Sequence, residues 1–486
     1  MRTTLIISII LCVLLVIPGW GQVPEKKDPL EDYIREGLEN NLVLQQKNVS
    51  LDKALLALKT AKSMFLPAMD FQFSYQTADG GRTIPLPLGD LLNEAYATLN
   101  QLTGTQDFPP LQNETINFLP KDYYDTYIRT TVPIVNTDLF YNKKISRQQI
   151  VLREYELDIY RRELVKSIKS AFYNYLSAIR ALEINQSSLQ LAEEGKRVNE
   201  KLLENGKGLP AYVLRANSEI ASVQARITDV RRQIDNARLL FNSLLNRPAD
   251  SPVDTSFDVE GKLAGAYTQL NEETGITGRE ELKSVGQMIR LNETVVKMNR
   301  NYLVPKLNGF LNLGSQAEGW AFNDQSRYYL AGFRLELPLF AGNRNRQKIM
   351  QAQFDVTDAR LNLEQVRQQL DVRVRVARNN LKAAWETYRS SQVQLEAAES
   401  YQRLIERGYR AGTNTYIETV DARDQLTAAR MSLIIRKYQV LLASAELERE
   451  AASYQLERKP EHGDRNTEAG NLQDDPGIGR RKIVKN

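Results

Sequence analysis

Between Asn343 and Arg407 the chain runs without a proline or a glycine. The stretch is rich in Gln, Arg, Ala, Leu and Glu, which suit a helix. Leu370, Val374, Ala377, Leu381, Ala384 and Tyr388 recur at alternating steps of four and three, the seam of a coiled coil. About 65 residues at 1.5 Å each predict a rod of roughly 100 Å, longer than any single globular domain needs. Gly412 follows the run where a left-handed residue ends a helix, and Asn414 or Thr415 can cap a returning helix from Tyr416 to about Ala452. The unit is strand, long helix, tight turn, returning helix.

The same unit occurs earlier. Thr131-Val-Pro-Ile-Val135 matches Glu336-Leu-Pro-Leu-Phe340, and Lys207-Gly-Leu-Pro-Ala-Tyr212 matches Ala411-Gly-Thr-Asn-Thr-Tyr416. Pro133 to Gly208 is 75 residues and Pro338 to Gly412 is 74. Phe65-Leu-Pro-Ala68 and Leu303-Val-Pro-Lys306 precede the two units. The duplication predicts one elongated body in two halves. The first repeat is 22–246, with a helix at 28–64, strands at 68–77 and 123–133, and a helical hairpin at 138–246. The connector is 247–278, at mid-molecule. The second repeat is 279–455, with a helix at 279–302, strands at 306–314 and 328–338, and a hairpin at 343–455. Residues 456–486 form a polar tail expected to be disordered.

Residues 1–21 read as a signal peptide: Arg2, an apolar run from Leu5 to Ile17, and Gly19-Trp20-Gly21 before the cut. The only cysteine, Cys12, lies in that leader, which predicts a mature chain without disulfides or thiol chemistry. The run is too short for a comfortable transmembrane helix, and no later window is a long apolar helix.

Met69, Phe71, Phe73 and Tyr75 alternate with Asp70, Gln72, Ser74 and Gln76. Asp125, Arg129, Arg334 and Glu336 fall on the polar phase of later strands. Strands of about ten residues, apolar on one face and charged on the other, carry a transmembrane β signature, with Asp70, Asp125, Arg129, Arg334 and Glu336 toward a lumen. Phe65, Tyr302 and Phe340 at one end, and Tyr123, Tyr124, Trp320, Phe322, Tyr328 and Tyr329 toward the other, suggest two interfacial girdles. Four strands cannot close a barrel. Eight would be filled by their own side chains, so twelve from three chains is the smallest set that leaves a lumen.

Chemistry is sparse. The only histidine, His462, lies in the tail, so neither a His-based triad nor a His-bearing metal site is expected, and no Gly-rich phosphate loop is present. Lys plus Arg is 64 and Asp plus Glu is 60, interspersed, which is a solvated helical surface and not a nucleic-acid footprint. No enzyme and no cofactor are expected. Besides a transport channel, a periplasmic coiled-coil adaptor or structural scaffold would explain leader and rods, but not the lipid-type strands.

The repeat, the Leu66-Pro67 and Val304-Pro305 landmarks, the strand-ending Val132-Pro133 and Leu337-Pro338, and Arg410-Ala-Gly-Thr-Asn-Thr-Tyr-Ile-Glu-Thr-Val-Asp-Ala422 together resemble TolC-like outer-membrane efflux proteins over about residues 29 to 455. The resemblance implies a mainly α fold with a transmembrane β part: a homotrimer with a 12-stranded β-barrel in outer-membrane lipid and a periplasmic α-helical tunnel. It implies docking to a periplasmic adaptor and an inner-membrane transporter, either in an efflux pump or as the duct of a type I protein secretion system. It places the tip turns at Gly208, Leu209, Gly412 and Thr413 and the gate at Glu418, Asp421 and Tyr409. A latching carboxylate of some relatives falls on Leu214 here, and a latching arginine on Asn414. Glu418 and Asp421 share one helix face at i, i+3, and the first turn offers Leu214 and Asn217 at the matched positions. Pro67 and Pro133 are 66 apart but Pro305 and Pro338 only 33, so the first half carries an insert, 79–120, read as a loop with a short helix at 90–102 and expected outside the cell, the alternative being a plug folded into the lumen.

Overall fold

A computed structural model describes residues 28–119, 121–272 and 275–456. The leader, with Cys12, and the tail beyond Leu456, with His462, lie outside the described residues. The chain forms two compact units. They do not follow the two repeats, because strands from one repeat pair with strands from the other.

One unit combines Val49–Glu154 with Ser284–Leu363. Its centre is a four-stranded antiparallel sheet of β1 (Ala68–Gln76), β4 (Tyr123–Val135), β5 (Lys306–Glu318) and β6 (Arg327–Glu336), in the order β1-β4-β5-β6. β5 runs past the expected 306–314, and β6 stops before Pro338, which has no N–H to give. Pro133 is accommodated by a register shift between Pro133 and Val135. Because directly paired residues share a face, the register sorts the side chains. Phe71, Ile128, Leu313 and Tyr329 form one row, and Gln72, Tyr127, Gly314 and Tyr328 the next. Gly314 is required: a Cβ there would collide with the Thr126 carbonyl and Tyr127.

The short helix expected at 90–102 is present as α3 (Leu88–Thr103), and the rest of 79–120, expected as loop, also holds a two-stranded pairing of β2 (Thr83–Leu86) with β3 (Glu114–Asn117) on either side of it. The Asn93 side chain donates to Leu111 O (3.0 Å) and accepts from Leu111 N (2.8 Å). Asn100 does the same with Phe108 at 2.8 and 3.1 Å. Two asparagines one heptad apart thus replace the strand partner that the proline-rich return, with Pro109-Pro110, cannot offer.

The other unit draws on residues up to Asn48, Tyr155–Lys283 and Glu364 onward. The expected helix 28–64 is two helices, α1 (Pro29–Asn40) and α2 (Leu42–Ser63). Asn41 divides them: its side chain caps α2 by accepting from Leu44 N (3.1 Å) and donates to Leu244 O (2.9 Å). The long helices are α4 (Thr137–Glu204), α5 (Pro210–Leu244), α8 (Arg344–Arg410) and α9 (Tyr416–Ala451). Leu370, Val374, Ala377, Leu381 and Tyr388 of the seam are buried, while Ala384 is half-buried. The core here stacks Tyr33, Phe172, Phe241 and Phe257, with ring centroids 5.0–5.9 Å apart. The 247–278 connector contains α6 (Val259–Asn271), started by the Asp258 cap and held by Tyr267 against Trp385 at 5.0 Å.

Ahead of α7 (Glu280–Arg300), Arg279 is 1% exposed. It pairs with Glu281 (2.7 Å) and Glu450 (3.2 Å). Arg162 grips Glu280 with two bonds of 2.8 Å and donates to the carbonyls of Ala452 and Tyr454. Arg449 links Glu163, Glu281 and Glu450. Burial alone would raise the Glu281 and Glu280 carboxyls. Hydrogen bonds from Arg279 and Arg162 outweigh it and hold both below the ordinary glutamate value.

Candidate functional site

Two surfaces carry the residues the sequence singles out. The first is the sheet. Asp70, Asp125, Arg129, Arg334 and Glu336 all lie on one face: Asp70 pairs with Arg129, and Arg334 and Glu336 oppose Asn308 and Lys306. Arg129 donates to Asn312 Oδ1 (3.0 Å) and lies over the Tyr127 ring. Asp125 accepts from the Tyr328 hydroxyl (2.9 Å). The opposite face presents Met69, Phe71, Phe73, Leu313, Tyr329, Phe333 and Leu335, all exposed. β1 and β6 are the sheet's edges, and among the described residues neither has a further partner strand. The expected aromatic girdle needs correction. Tyr123 and Tyr328 are on the polar face, and Tyr124 is fully buried, with Phe322 at 4.4 Å and Trp320 at 5.8 Å. Gly319 and Trp320, both left-handed, turn the β5–β6 connection so that Trp320 also stacks on Tyr75. Among the described residues no helix is long and apolar enough to cross a membrane.

The second surface is the pair of helix–helix turns. Helix α8 ends in a Schellman motif: Gly412 is left-handed (φ 78°), Thr413 N donates to Gly408 O (2.8 Å) and Gly412 N to Tyr409 O (3.0 Å). Helix α4 ends the same way, but on Gly206 (φ 69°), with Lys207 N on Leu202 O (2.8 Å) and Gly206 N on Leu203 O (3.0 Å). The counterpart of Gly412 is therefore Gly206, not Gly208. Gly208 instead lets the chain approach the Leu203 backbone, which a Cβ would meet at 2.6 Å. The register of the two halves shifts with it. Leu209 matches Thr415 as the residue before each returning helix. Glu418 and Asp421 match Tyr212 and Arg215, not Leu214 and Asn217.

Thr415 and Glu418 form a capping box. Glu418 Oε2 accepts from Thr415 N (2.6 Å) and Asn414 Nδ2 (3.2 Å), and Thr415 Oγ1 accepts from Glu418 N (3.3 Å). The backbone bond from Thr415 lowers the exposed Glu418 carboxyl. Asp421 is exposed and accepts from Gln425 (2.8 Å). The first turn has no side-chain cap and relies on Pro210 at the first helical position. Leu214 is exposed, and Asn414 serves its own turn.

Behind the turns lies a cluster the sequence does not announce. Tyr416, Ala216 and Val420 are buried, with Tyr212 and Tyr409 packed on them. The Tyr409 hydroxyl donates to Asn199 (3.3 Å), and Arg423 donates to Leu191 O (3.2 Å). The Tyr416 hydroxyl and Glu219 Oε2 are buried without a hydrogen-bond partner among the described residues. Burial, then the charge of Glu219, pushes Tyr416 up to about 12. Burial, then Asp424, raises the Glu219 carboxyl. Tyr212 and Tyr416, as repeat landmarks, and Tyr409, through the family resemblance, offered a sequence signal here; Ala216, Glu219 and Val420 did not. A carboxyl raised by burial destabilises the fold once ionised. Glu219→Gln is therefore expected to slow amide exchange around 216–223, a gain on the order of 1 kcal/mol. The gain should grow as pH rises above the ordinary value of 4.5 and vanish below it. Equal exchange at pH 7 would show that Glu219 is satisfied.

The family model described as outer membrane efflux protein matches residues 33–247 and 277–452. The chain is 22% identical over 450 residues to outer membrane protein TolC of Salmonella enteritidis, covering 88% of this chain and 82% of that protein. It is 22% identical over 334 residues to the alkaline protease secretion protein AprF of Pseudomonas aeruginosa, covering 67% and 69%. The fold matches the Campylobacter jejuni CmeC outer membrane channel with a TM-score of 0.69, 13% identity, and 91% and 89% coverage. The family is one of channel proteins, not enzymes, and its members act with adaptors and inner-membrane transporters. With sheet, duplicated hairpins and family match in agreement, the chain belongs to the outer membrane efflux protein family, as a channel of the outer membrane.

Proposed function

We propose that the protein is the exit duct of a tripartite efflux pump, a homotrimer whose three sheets close a 12-stranded barrel. The observation that carries this is the four-stranded sheet with one polar face, one apolar face and two unpaired edges. In lipid an open edge costs several kcal/mol per unpaired group, so β1 of one copy must meet β6 of the next. Asp70, Asp125, Arg129, Arg334 and Glu336 then line the lumen, and Phe71 and its row face lipid. The first test is mass. Detergent-extracted protein is expected to be a trimer, and a stable monomer or dimer would sink the proposal.

The turns around Gly206, Gly208, Leu209, Gly412 and Thr413 meet the periplasmic adaptor, and Tyr409, Glu418 and Asp421 stand at the entrance. Three copies place six carboxylates there, which favours cations. Glutamine still completes a capping box, so Glu418→Gln with Asp421→Asn removes charge while keeping the helix start. The double variant is expected to lower the cation-to-anion permeability ratio roughly twofold in planar bilayers. An unchanged reversal potential would remove these residues from the entrance. The likeness to a protein named for alkaline protease secretion favours a second reading, a type I secretion duct. Loss of drug resistance on gene deletion supports the pump, and loss of a secreted protein supports the second reading.

A further inference from the structure

The insert between β1 and β4 presents an apolar face that the described residues leave exposed. On α3, Leu88, Leu92, Ala95, Leu99 and Leu102 follow steps of four, three, four and three, and all are exposed. Leu102 is 78% exposed, and Leu91 beside the row is 69% exposed. The other side of the helix is already used. Asp90, Asn93 and Asn100 bind the returning segment from Phe108 to Asn113, and Tyr96 packs on Phe108 at 5.5 Å. Gly89 lets that segment come close, since a Cβ there would meet Leu111 O at 2.5 Å. The insert is thus fixed, with its leucine row turned away from its own return strand.

We propose that the row docks on the same helix of neighbouring copies, so that three inserts form a short helical cluster at the mouth of the barrel. The proposal rests on the trimer argued above. Three observations choose this occupant. First, the alternating four–three spacing is that of helix meeting helix, a/d positions over two heptads. Second, residues 77–122 carry six acids against only Arg82 and Lys121. A helix that rests on an anionic lipid surface carries Lys and Arg on its polar side, and α3 carries none. The barrel interior is no better match, because that sheet face is polar. Third, the insert leaves directly from β1, a sheet edge, at the end opposite the one that α2 and α4 join. A copy closing the barrel through β1 brings its β6, and the adjoining Gly319–Ser326 turn, to the base of this insert.

Two heptads are too short to associate free in solution. Tethered around one barrel, the three helices meet at an effective concentration of about millimolar, which lowers the cost of association. The cluster would narrow the outer mouth and add a second interface to the barrel.

The mature chain is expected to lack cysteine, so single thiols can be placed in the full-length protein. Ala95→Cys and Leu99→Cys lie in the row, and Ala97→Cys points the other way round the helix. Outer-membrane fractions are oxidised with copper phenanthroline, and trimer content is read by native mass on the same samples. The expected result is a disulfide-linked dimer for either row position, at least about tenfold more abundant than for Ala97→Cys. An intact trimer with no linkage, or with equal linkage at all three positions, overturns the helical cluster and leaves the trimer standing. A monomeric wild type overturns the reading beneath it.

Discussion

Phe71→Arg is expected to abolish recovery of assembled protein from the outer membrane, while Gln72→Arg one residue away is tolerated. Phe71 is at the middle of β1 and begins a row that continues through Ile128, Leu313 and Tyr329. Gln72 begins the adjacent row on the other face. If the first row meets lipid, an arginine near the midplane costs about 2–4 kcal/mol, and threefold symmetry makes that roughly 6–12 kcal/mol per barrel. If the second row meets a water-filled lumen, an arginine there costs little. Fractionation with heat-modifiable migration reads the outcome. Equal tolerance of both variants would mean that the face assignment is wrong.

Arg279→Ala should be the most damaging single change in the helical unit. The guanidinium is essentially inaccessible and joins Glu281 and Glu450 to the carbonyl of Arg449 at 3.3 Å. Its loss leaves the two carboxylates to Arg449 alone, at 3.4 and 3.1 Å. Breaking a buried pair on one side typically costs about 3–5 kcal/mol. Arg279→Lys should recover only part of this, because an ammonium cannot reproduce the planar fork. The same network sets an acid limit. Glu280, Glu281 and Glu163 sit below the ordinary 4.5, so their contribution is complete above that value and lost as pH falls through their lower folded-state values. Unfolding followed by circular dichroism across pH checks both statements. An unchanged midpoint in Arg279→Ala would show that Arg449 suffices.

What could be read from the residues depended on how local the signal was. The coiled-coil seam and the strand alternation are periodic, so α8, β1 and the polar row of Asp70, Asp125 and Arg129 were legible. Asn41 was not, because it ends one helix and starts the next without disturbing the apolar stripe. In the insert the short helix was legible, but the segments around it read as loop because their prolines remove backbone donors. The bonds that order them come from Asn93 and Asn100, whose partners lie 18 and 8 residues away. At the first turn two glycines stand two apart, and only the backbone reveals that Gly206 takes the positive φ. Glu219, on α5, looks like any solvated helix residue until α9 packs Tyr416 and Val420 against that helix.

The β4–β5 pairing sets an order in time. Tyr124 finds Ala317 and Arg129 finds Asn312, so the middle of the sheet joins segments whose hydrogen-bonded side chains are 183 and 191 residues apart. Helical turns close within nanoseconds to microseconds, whereas pairing at such separation waits on a long loop closure. The unit that holds the sheet cannot be completed before residue 363 has arrived, because its segments are Val49–Glu154 and Ser284–Leu363. Until then Met69, Phe71 and Phe73 travel as an unpaired sticky edge. Slow export of the second half would therefore prolong the most aggregation-prone interval in the life of the chain, and a pause engineered before Ser284 should lower yield more than one placed after Leu363.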